Sequence, residues 1–183
     1  LAAGAGSLKS FQTPPPADEQ RAPLAEAVIV GASGAAEAGI SRGIAIAEGH
    51  SLARRLAMLP GNACTPDYLA DTARDIGMRH GLTVTVLGRT EMEREGMGSF
   101  LSVAQGTPQE PRLITLEYRK GGDAAPIALV GKGLCFDSGG ISIKPAQGME
   151  HMKFDMCGAA GVLGAMEAIA GLGLSINVVG LVG

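Results

Sequence analysis

Residues 130–161 read VGKGLCFDSGGISIKPAQGMEHMKFDMCGAAG and connect an apolar, strand-like run, Ile127–Val130, to a nearly uncharged, helix-like run. Charged side chains of both signs concentrate in this connection: Lys132, Asp137, Lys144, Glu150, Lys153 and Asp155. Burying such charges between two apolar elements is costly unless they pair with one another or bind a metal. The stretch therefore predicts a functional site between a strand and a helix.

Apolar runs on both sides of this connection predict alternating strands and helices. Ile176–Leu181 follows the helix-like run and completes a strand–helix–strand crossover. Leu82–Leu87 and Leu113–Tyr118 are also strand-like, and glycines at 121–122 predict a tight turn that makes Leu113–Tyr118 and Ile127–Val130 neighbours in the sheet. We therefore expect an α/β fold with a mixed, largely parallel sheet flanked by helices.

Three segments upstream have helical patterns. The second begins with Thr65 as its N-cap and Pro66 at its first position and runs to about Arg79. The third is a short charged helix, Glu91–Glu95. The first, Ala35–Leu59, has an apolar stripe that predicts one buried face: Ile40, Ile44, Ala47, Leu52, Leu56 and Leu59.

The remaining segments have weaker patterns. Residues 1–26 have the composition of a linker or surface loop, with three prolines at 14–16 and charges soon after. Ala27–Val30 is a short strand candidate, and Ser33 is a candidate cap for the helix that follows. Gly96–Gly106 is rich in small residues and predicts a loop.

Composition narrows the functional classes. With 183 residues, of which 46% are hydrophobic and 18% charged, the chain has a globular composition and can bury a sizeable core. A net charge of −3 offers no basic surface, so we do not expect nucleic-acid binding. Three cysteines without a C-x-x-C motif indicate reduced thiols, as in the cytoplasm. Gly158–Gly183 carries a single charge, but Gly171 and Gly173 interrupt it, so we interpret it as a buried helix and strand and expect no membrane span.

Residue types alone leave several interpretations of the central stretch open. Lys132 and Asp137 follow a strand, where open α/β sheets form their sites, and Asp155 precedes the helix. Two carboxylates at one loop mouth favour a divalent metal, whereas Asp155 alone would also suit a helix cap. A P-loop is disfavoured because Lys132 is followed by Gly133 and not by a helix, and Gly31–Gly34 lacks the dinucleotide-binding spacing. The residue types therefore indicate a metal or phosphate site and go no further.

Histidines and cysteines receive structural interpretations. His151 is interpreted as a solvated loop residue, and His50 and His80 as helix residues without an evident partner. Cys135 and Cys157 flank the two aspartates and are interpreted as small buried thiols.

The motif VGKGLCFDSGGISIKP, followed by GMEHMKFDMCGAAGVLGAM, closely resembles the leucyl aminopeptidase (cytosol aminopeptidase) family of dinuclear metallopeptidases. The upstream RLAMLPGNACTPDYLADTA is similar to that family's segment between its linking helix and its catalytic domain. The resemblance implies three parts: the tail of an N-terminal domain with a linker in 1–32, a connecting helix in 33–59, and the first half of the catalytic metallopeptidase domain in 60–183.

The resemblance also implies roles for five side chains. Lys132 matches a metal-ligating lysine, Asp137 the aspartate that bridges both metals, and Asp155 the second aspartate of the tighter metal site, close to the substrate amine. Lys144 matches the catalytic lysine that polarises the scissile carbonyl. Met152 matches a methionine that lines the pocket for the N-terminal side chain.

Physical chemistry is compatible with these roles. Two cations offset the charge of the carboxylates and activate a water as the nucleophile. A dication can displace the proton from a lysine ligand, because metal binding releases protons. Lys144, by contrast, has to stay charged, so that it stabilises the developing oxyanion.

The resemblance implies a metal-dependent aminopeptidase that releases unblocked, leucine-like N-terminal residues from peptide substrates. It further implies two divalent ions, zinc or manganese with magnesium as a further candidate, and a cytoplasmic homo-oligomer, a hexamer. The family's downstream N-T-D-A-E-G-R motif, whose arginine holds a bicarbonate, does not occur here. We therefore expect a fragment that is inactive alone. An inactive or moonlighting homologue that acts as a binding protein, and a nucleotide-binding α/β enzyme, are the alternatives.

Overall fold

The computed structural model describes residues 13–20, 25–31 and 34–183. Helices and strands are interspersed along residues 34–183. In chain order they are a 3-10 turn (Ala17–Glu19), helices α1 (Gly34–Met58) and α2 (Pro66–His80), strand β1 (Thr83–Leu87), helices α3 (Arg89–Arg94) and α4 (Gly98–Val103), strands β2 (Leu113–Arg119) and β3 (Ile127–Gly131), a 3-10 helix (Met149–Phe154), helix α5 (Cys157–Leu172) and strand β4 (Asn177–Val182).

The four strands form one mixed sheet in the order β1-β2-β4-β3. The pairs β1–β2 and β2–β4 are antiparallel, and β3–β4 is parallel. The parallel pair is joined through α5, which is the predicted crossover, since parallel neighbours need a long connection. The α/β class and the mixed sheet flanked by helices are confirmed. Two of these three pairings are antiparallel, however, so the described strands do not form a largely parallel sheet.

The predicted pairing of β2 with β3 is wrong, because β4 lies between them. The side chain of Asn177, at the start of β4, is buried and fixes the turn that follows β2. It accepts a hydrogen bond from the Gly121 N–H (2.9 Å) and donates to the carbonyl oxygens of Gly122 (2.9 Å) and Ala124 (2.7 Å). The turn is thus held against the first residue of β4, and the two strands that it joins flank β4 instead of pairing.

Helices α1 and α5 pack closely at a pair of glycines. A Cβ at Gly164 would lie 2.5 Å from the carbonyl oxygen of Gly49 and 2.9 Å from Ala53 Cβ, so larger residues do not fit at this crossing. The contact belongs to a core between the sheet and the helices. Its fully buried large side chains include Leu56, Leu69, Ile76, Ile114, Leu116, Met156, Leu163, Met166, Val178 and Val182.

The predicted apolar stripe of α1 is buried only in the second half of the helix. Leu56 is buried, whereas Ile40 and Ile44 are 38% and 48% exposed. Gly171, near the end of α5, faces Ala45 of α1. Helix α5 therefore ends where the exposed part of α1 begins.

The start of α2 is confirmed in detail: Thr65 Oγ1 accepts a hydrogen bond from the Tyr68 N–H at 3.2 Å. The predicted strand Ala27–Val30 is wrong. It pairs with none of the four strands of the sheet, and Val30 is 91% exposed. The predicted loop after α3 contains the short helix α4, which buries Leu101. Ser33 lies outside the described residues.

Helix α5 also carries a buried carboxylate, Glu167, which is 3% exposed. The Arg79 guanidinium donates hydrogen bonds to both of its oxygens, and His80 Nε2 lies 3.0 Å from Oε1. Burial by itself raises the pKa of Glu167, but the hydrogen bonds from Arg79 and His80 outweigh it and lower that pKa below its ordinary value. His80 therefore has a partner that its sequence context did not reveal.

By length and composition, Met149–Leu172 could cross a membrane, although core helices pass the same test. In the structure α5 packs against α1 and against the sheet. The interpretation of 158–183 as a buried helix followed by a strand is confirmed.

Candidate metal centre

Lys132 follows β3 directly, and glycines hold its backbone against α5. A Cβ at Gly158 would lie 2.8 Å from Lys132 N, and one at Gly131 would clash with the Gly158 carbonyl. The Ala159 N–H donates a hydrogen bond of 2.9 Å to the Lys132 carbonyl oxygen. This contact brings Lys132 close to Asp155, which lies just before α5. Lys132 Nζ lies 2.8 Å from Asp155 Oδ1.

A tight loop brings Lys144 back to Asp137. The Gly139 N–H donates to Asp137 Oδ1 at 2.8 Å, and the Lys144 N–H donates to the Ser138 carbonyl oxygen at 2.9 Å. Gly139 has φ of +95°, and a Cβ there would clash with the Ser142 carbonyl, so the loop requires glycine at this position. As a result Lys144 Nζ lies 3.0 Å from Asp137 Oδ2.

The two aspartates are charged groups with spare acceptor capacity. The hydrogen bond from Lys144, aided by the one from the Gly139 N–H, lowers the pKa of Asp137 and favours its carboxylate form. Asp155 Oδ2 is buried and has no hydrogen-bond partner. A buried carboxylate oxygen without a donor is costly, and a cation bound there would satisfy it.

The cap interpretation of Asp155 is wrong. No side chain caps the N-terminus of α5, whose N-cap residue is Met156. One oxygen of Asp155 binds Lys132 and the other is the unpartnered Oδ2. Asp155 is thus turned towards the loop after β3.

The donor set suits a metal but is small. Each of the two carboxylates is paired with one lysine ammonium. A bound metal cation could take the place of such an ammonium, because it also neutralises the carboxylate. In the part of the chain that the structure describes, no group of three or more His, Cys, Asp or Glu side chains could hold a metal. The arrangement therefore fits one side of a metal centre.

A cavity of about 150 Å³ adjoins this centre. Met152, which sequence analysis placed in a side-chain pocket, lines it together with Lys144 and Met149. Met149 was missed by sequence analysis. Its signal is the three-residue spacing of the two methionines after Gly148, which equals the period of a 3-10 helix. Pro145, Gln147 and Gly148 complete the lining.

The histidine and cysteines near the centre differ in exposure. His151 is exposed, as predicted, and stacks on Phe154 with ring centroids 6.4 Å apart. Cys157 is exposed and Cys135 half-buried, so the buried-thiol interpretation is wrong for Cys157 and holds only partly for Cys135. Burial, with a smaller contribution from Cys64, raises the pKa of Cys135 to about 12, so the thiol stays protonated.

A second, larger cleft of about 600 Å³ lies between α1 and α2, with Glu167 among its lining residues. None of the five candidate site residues lines it. Its charged walls include Glu48, Arg55 and Asp75.

Comparisons with known proteins identify the family of the chain. The family model described as the cytosol aminopeptidase family, catalytic domain, matches residues 51–183. Over 148 residues the chain is 60% identical to a "Probable cytosol aminopeptidase" of Aromatoleum aromaticum, covering 80% of this chain and 29% of that protein. Over 171 residues it is 50% identical to a protein of the same name from Cupriavidus taiwanensis, covering 91% and 33%. The chain thus spans about a third or less of the length of these relatives.

Solved structures of a similar protein share the fold of this chain. The chain superposes on the bottromycin maturation enzyme BotP with a TM-score of 0.82 at 33% identity, covering 99% of this chain and 36% of that one. For BotP in complex with Mn the TM-score is 0.79 at 36% identity, covering 99% and 38%.

Proposed function

This chain belongs to the cytosol aminopeptidase family, and we propose that the protein carrying it is a metal-dependent aminopeptidase that releases unblocked N-terminal residues from peptides. The observation that carries the proposal is the convergence of two lysine–aspartate pairs on the loops around one strand end, Lys132 with Asp155 and Lys144 with Asp137. The two pairs supply both cationic and anionic groups close to the end of β3.

Lys132, Asp137 and Asp155 would hold two divalent cations, with further ligands from elsewhere in the complete protein. The unpartnered, buried Oδ2 of Asp155 and the lowered pKa of Asp137 support these roles. When bound, the metal pair supplies an activated water as the nucleophile. Zinc or manganese is the proposed metal, with magnesium as a further candidate, and the solved complex of a similar protein with Mn supports this choice.

Lys144 would bind and polarise the scissile carbonyl. Its ammonium lies 3.0 Å from Asp137 Oδ2, so it is already oriented towards the proposed centre. A positioned cation stabilises an oxyanion better than water does, because it needs no reorganisation as charge develops. Asp155 would also hold the substrate's N-terminal ammonium, and Met152 would contact the leucine-like side chain beside it.

The wider features of the complete protein are proposals of the same kind. Residues 1–32 would be the tail of an N-terminal domain with a linker, 33–59 a connecting helix, and 60–183 the first half of the catalytic domain. A bicarbonate would serve as general base in the complete protein, which we propose to be a cytoplasmic hexamer. The names of the relatives support the cytoplasmic location.

Substitution of Lys144 tests the proposed reaction. In the complete protein, Lys144→Ala should lower kcat for a leucine anilide by about 100- to 1000-fold, which is the cost of removing one oxyanion donor. Bound metal, measured by elemental analysis, should change little, because Lys144 is not a proposed ligand. Lys120→Ala, which removes an exposed lysine after β2, is the matched control.

Unchanged turnover in Lys144→Ala would remove the catalytic role of this lysine. A wild-type protein that binds zinc or manganese but hydrolyses no aminoacyl anilide would instead favour the alternative of a binding protein.

A further inference from the structure

We propose that Gly61 is a positioning residue, which sets where the carboxylate of Asp137 lies in the candidate metal centre. The inference rests on the proposed function, in which Asp137 is a metal ligand. Gly61 belongs to the turn between α1 and α2 and does not line the cavity beside Lys144. The carrying observation is that a Cβ at Gly61 would lie 3.0 Å from Phe136 Cβ and 3.3 Å from the Cys135 carbonyl oxygen.

The missing side chain of Gly61 matters here, and not an unusual backbone conformation. Gly61 lies outside the left-handed region, whereas Gly139 in the loop after Asp137 has φ of +95°. An alanine at position 61 would therefore add a methyl group without backbone strain. Because the resulting contacts of 3.0 and 3.3 Å are too close, the neighbouring segment would have to move by a few tenths of an ångström.

The turn itself is firmly held, so it is not the part that would move. The Pro60 carbonyl oxygen accepts hydrogen bonds of 2.9 Å from the N–H groups of both Ala63 and Cys64. Cys64 is 1% exposed and belongs to the hydrophobic core. The next residue, Thr65, caps α2 through its bond with the Tyr68 N–H. An added methyl group would therefore displace the segment that the turn contacts.

That segment is held less firmly than the turn. Phe136 is 42% exposed, and Asp137 accepts its backbone hydrogen bond from Gly139, within the same loop. Upstream, the Gly133 N–H donates a hydrogen bond of 2.6 Å to the carbonyl oxygen that follows β4, which fixes the start of the segment. The turn between α1 and α2 thus supports the residues between this anchor and the carboxylate.

A small displacement is enough to disturb a metal ligand. Neighbouring Cα atoms lie a fixed distance apart across a planar peptide bond, so a movement of Phe136 is passed on to Asp137. Ligand distances in a metal site are held to within about 0.2 Å, which is less than the displacement of a few tenths of an ångström. Lys132 and Asp155 depend on a different contact, between β3 and α5, and should keep their places.

Substitutions of increasing volume test the proposal in the complete protein. Gly61→Ala should raise the Kd for zinc by about 10-fold, as the loss of a group that orients a metal ligand does. Gly61→Val should raise it further, and competition with a chromophoric chelator measures both values. Gly106→Ala is the matched control, because Gly106 also lies in a turn without positive φ and a Cβ there would meet nothing within 4 Å. Its Kd should equal that of the wild type.

Hydrogen exchange in the metal-free protein distinguishes positioning from a loss of stability. The bond from the Gly139 N–H to Asp137 Oδ1 forms only while Asp137 is in place. In Gly61→Ala, a peptide covering residues 134–144 should therefore exchange faster than in the wild type, as mass spectrometry can measure. A peptide covering residues 157–163 of α5 should exchange at the wild-type rate. A general loss of stability would instead accelerate exchange in both peptides.

The outcomes separate this proposal from the peptidase function. If the wild type binds zinc and Gly61→Ala binds it with the same Kd, the positioning role is refuted and the peptidase function stands. Faster exchange in both peptides to the same extent would refute it as well. If Gly61→Val does not fold, the alanine variant decides alone. A wild type that binds neither zinc nor manganese would overturn the proposed function and, with it, the role of Gly61.

Discussion

Glu167 is buried and Asp155 is half-buried with one buried oxygen, and the partners of these two carboxylates differ. Glu167 has both of its oxygens bonded, by Arg79 and His80, so it is a structural charge. In Asp155 one oxygen forms an ion pair with the exposed Lys132, and the other has no hydrogen-bond partner. A fully satisfied carboxylate stabilises the fold that surrounds it, whereas a partly satisfied one is costly until something binds.

Glu167 should make the stability of the fold depend on pH. Its pKa is lowered in the folded chain, so its contribution is fully present above the ordinary value of 4.5 and is lost as the pH falls through the folded value. Glu167→Gln should therefore lower the free energy of unfolding by about 1–3 kcal/mol at pH 7, and by less at pH 3. Melting temperatures at the two pH values measure the difference, with the exposed Glu93→Gln on α3 as control. An equal loss at both pH values would show that the charge of Glu167 is not what matters.

Helix α5 and strand β3 approach closely because the residues at their contact are glycines, which have no side chains. Gly131 and Gly158 let the two backbones touch, and that contact carries Lys132 to Asp155. In the same helix Gly161 faces open space, so glycine there serves no contact. Of these two glycines of α5, only Gly158 is required for the contact with β3, because it faces that strand and Gly161 does not.

Substitution of Gly158 and of Gly161 should therefore have opposite effects. Gly158→Ala places a methyl group 2.8 Å from Lys132 N, so it should separate β3 from α5 and destabilise the protein by about 1–3 kcal/mol. It should also lower bound zinc, because Lys132 moves away from Asp155. Gly161→Ala should be neutral or stabilising by up to about 1 kcal/mol, since alanine favours a helix interior. Melting temperature and elemental analysis of both variants check this, and indistinguishable values would exclude the close contact.

At the scale of the whole molecule, local sequence patterns predicted much of the secondary structure. They did not predict the contacts between residues that are far apart in the chain. The helix after Thr65 and the crossover through α5 have local signals, and both were found. The insertion of β4 beside β2 depends on Asn177, which bonds backbone groups more than 50 residues earlier in the chain. No periodicity reports such a contact. The same limit explains His80, whose partner lies on another helix.

The candidate site divides in the same way. The motif around Lys132 and Asp137 is specific enough to identify a family, and hence the roles that family implies. The position of Met149 beside Met152 depends on a 3-10 helix, and short segments of that kind have no strong sequence signal. A strand was wrongly predicted at Ala27–Val30 because an apolar run does not reveal whether a neighbouring strand exists.

Metal binding should stabilise the molecule as a whole. A ligand that binds only the folded state at 100 times its Kd adds about 2.7 kcal/mol, which raises the melting temperature by several degrees. Zinc or manganese added to the metal-free complete protein should produce that rise, and Asp137→Ala should abolish it. Asp123→Ala, an exposed carboxylate in the turn after β2, should keep it. ATP should produce no rise, and a rise with ATP but not with metal would favour the nucleotide-binding alternative.

The position of β4 has a consequence for synthesis on the ribosome. The chain emerges from its N-terminal end, so β2 and β3 leave the exit tunnel while the strand that separates them is still unmade. Until Asn177–Val182 appears, the nascent chain has two apolar strands that can pair wrongly with each other. The last of these four strands to be translated is therefore the one that joins β3 to the rest of the sheet. A chaperone that shields β3 during that interval would prevent an incorrect hairpin of β2 with β3.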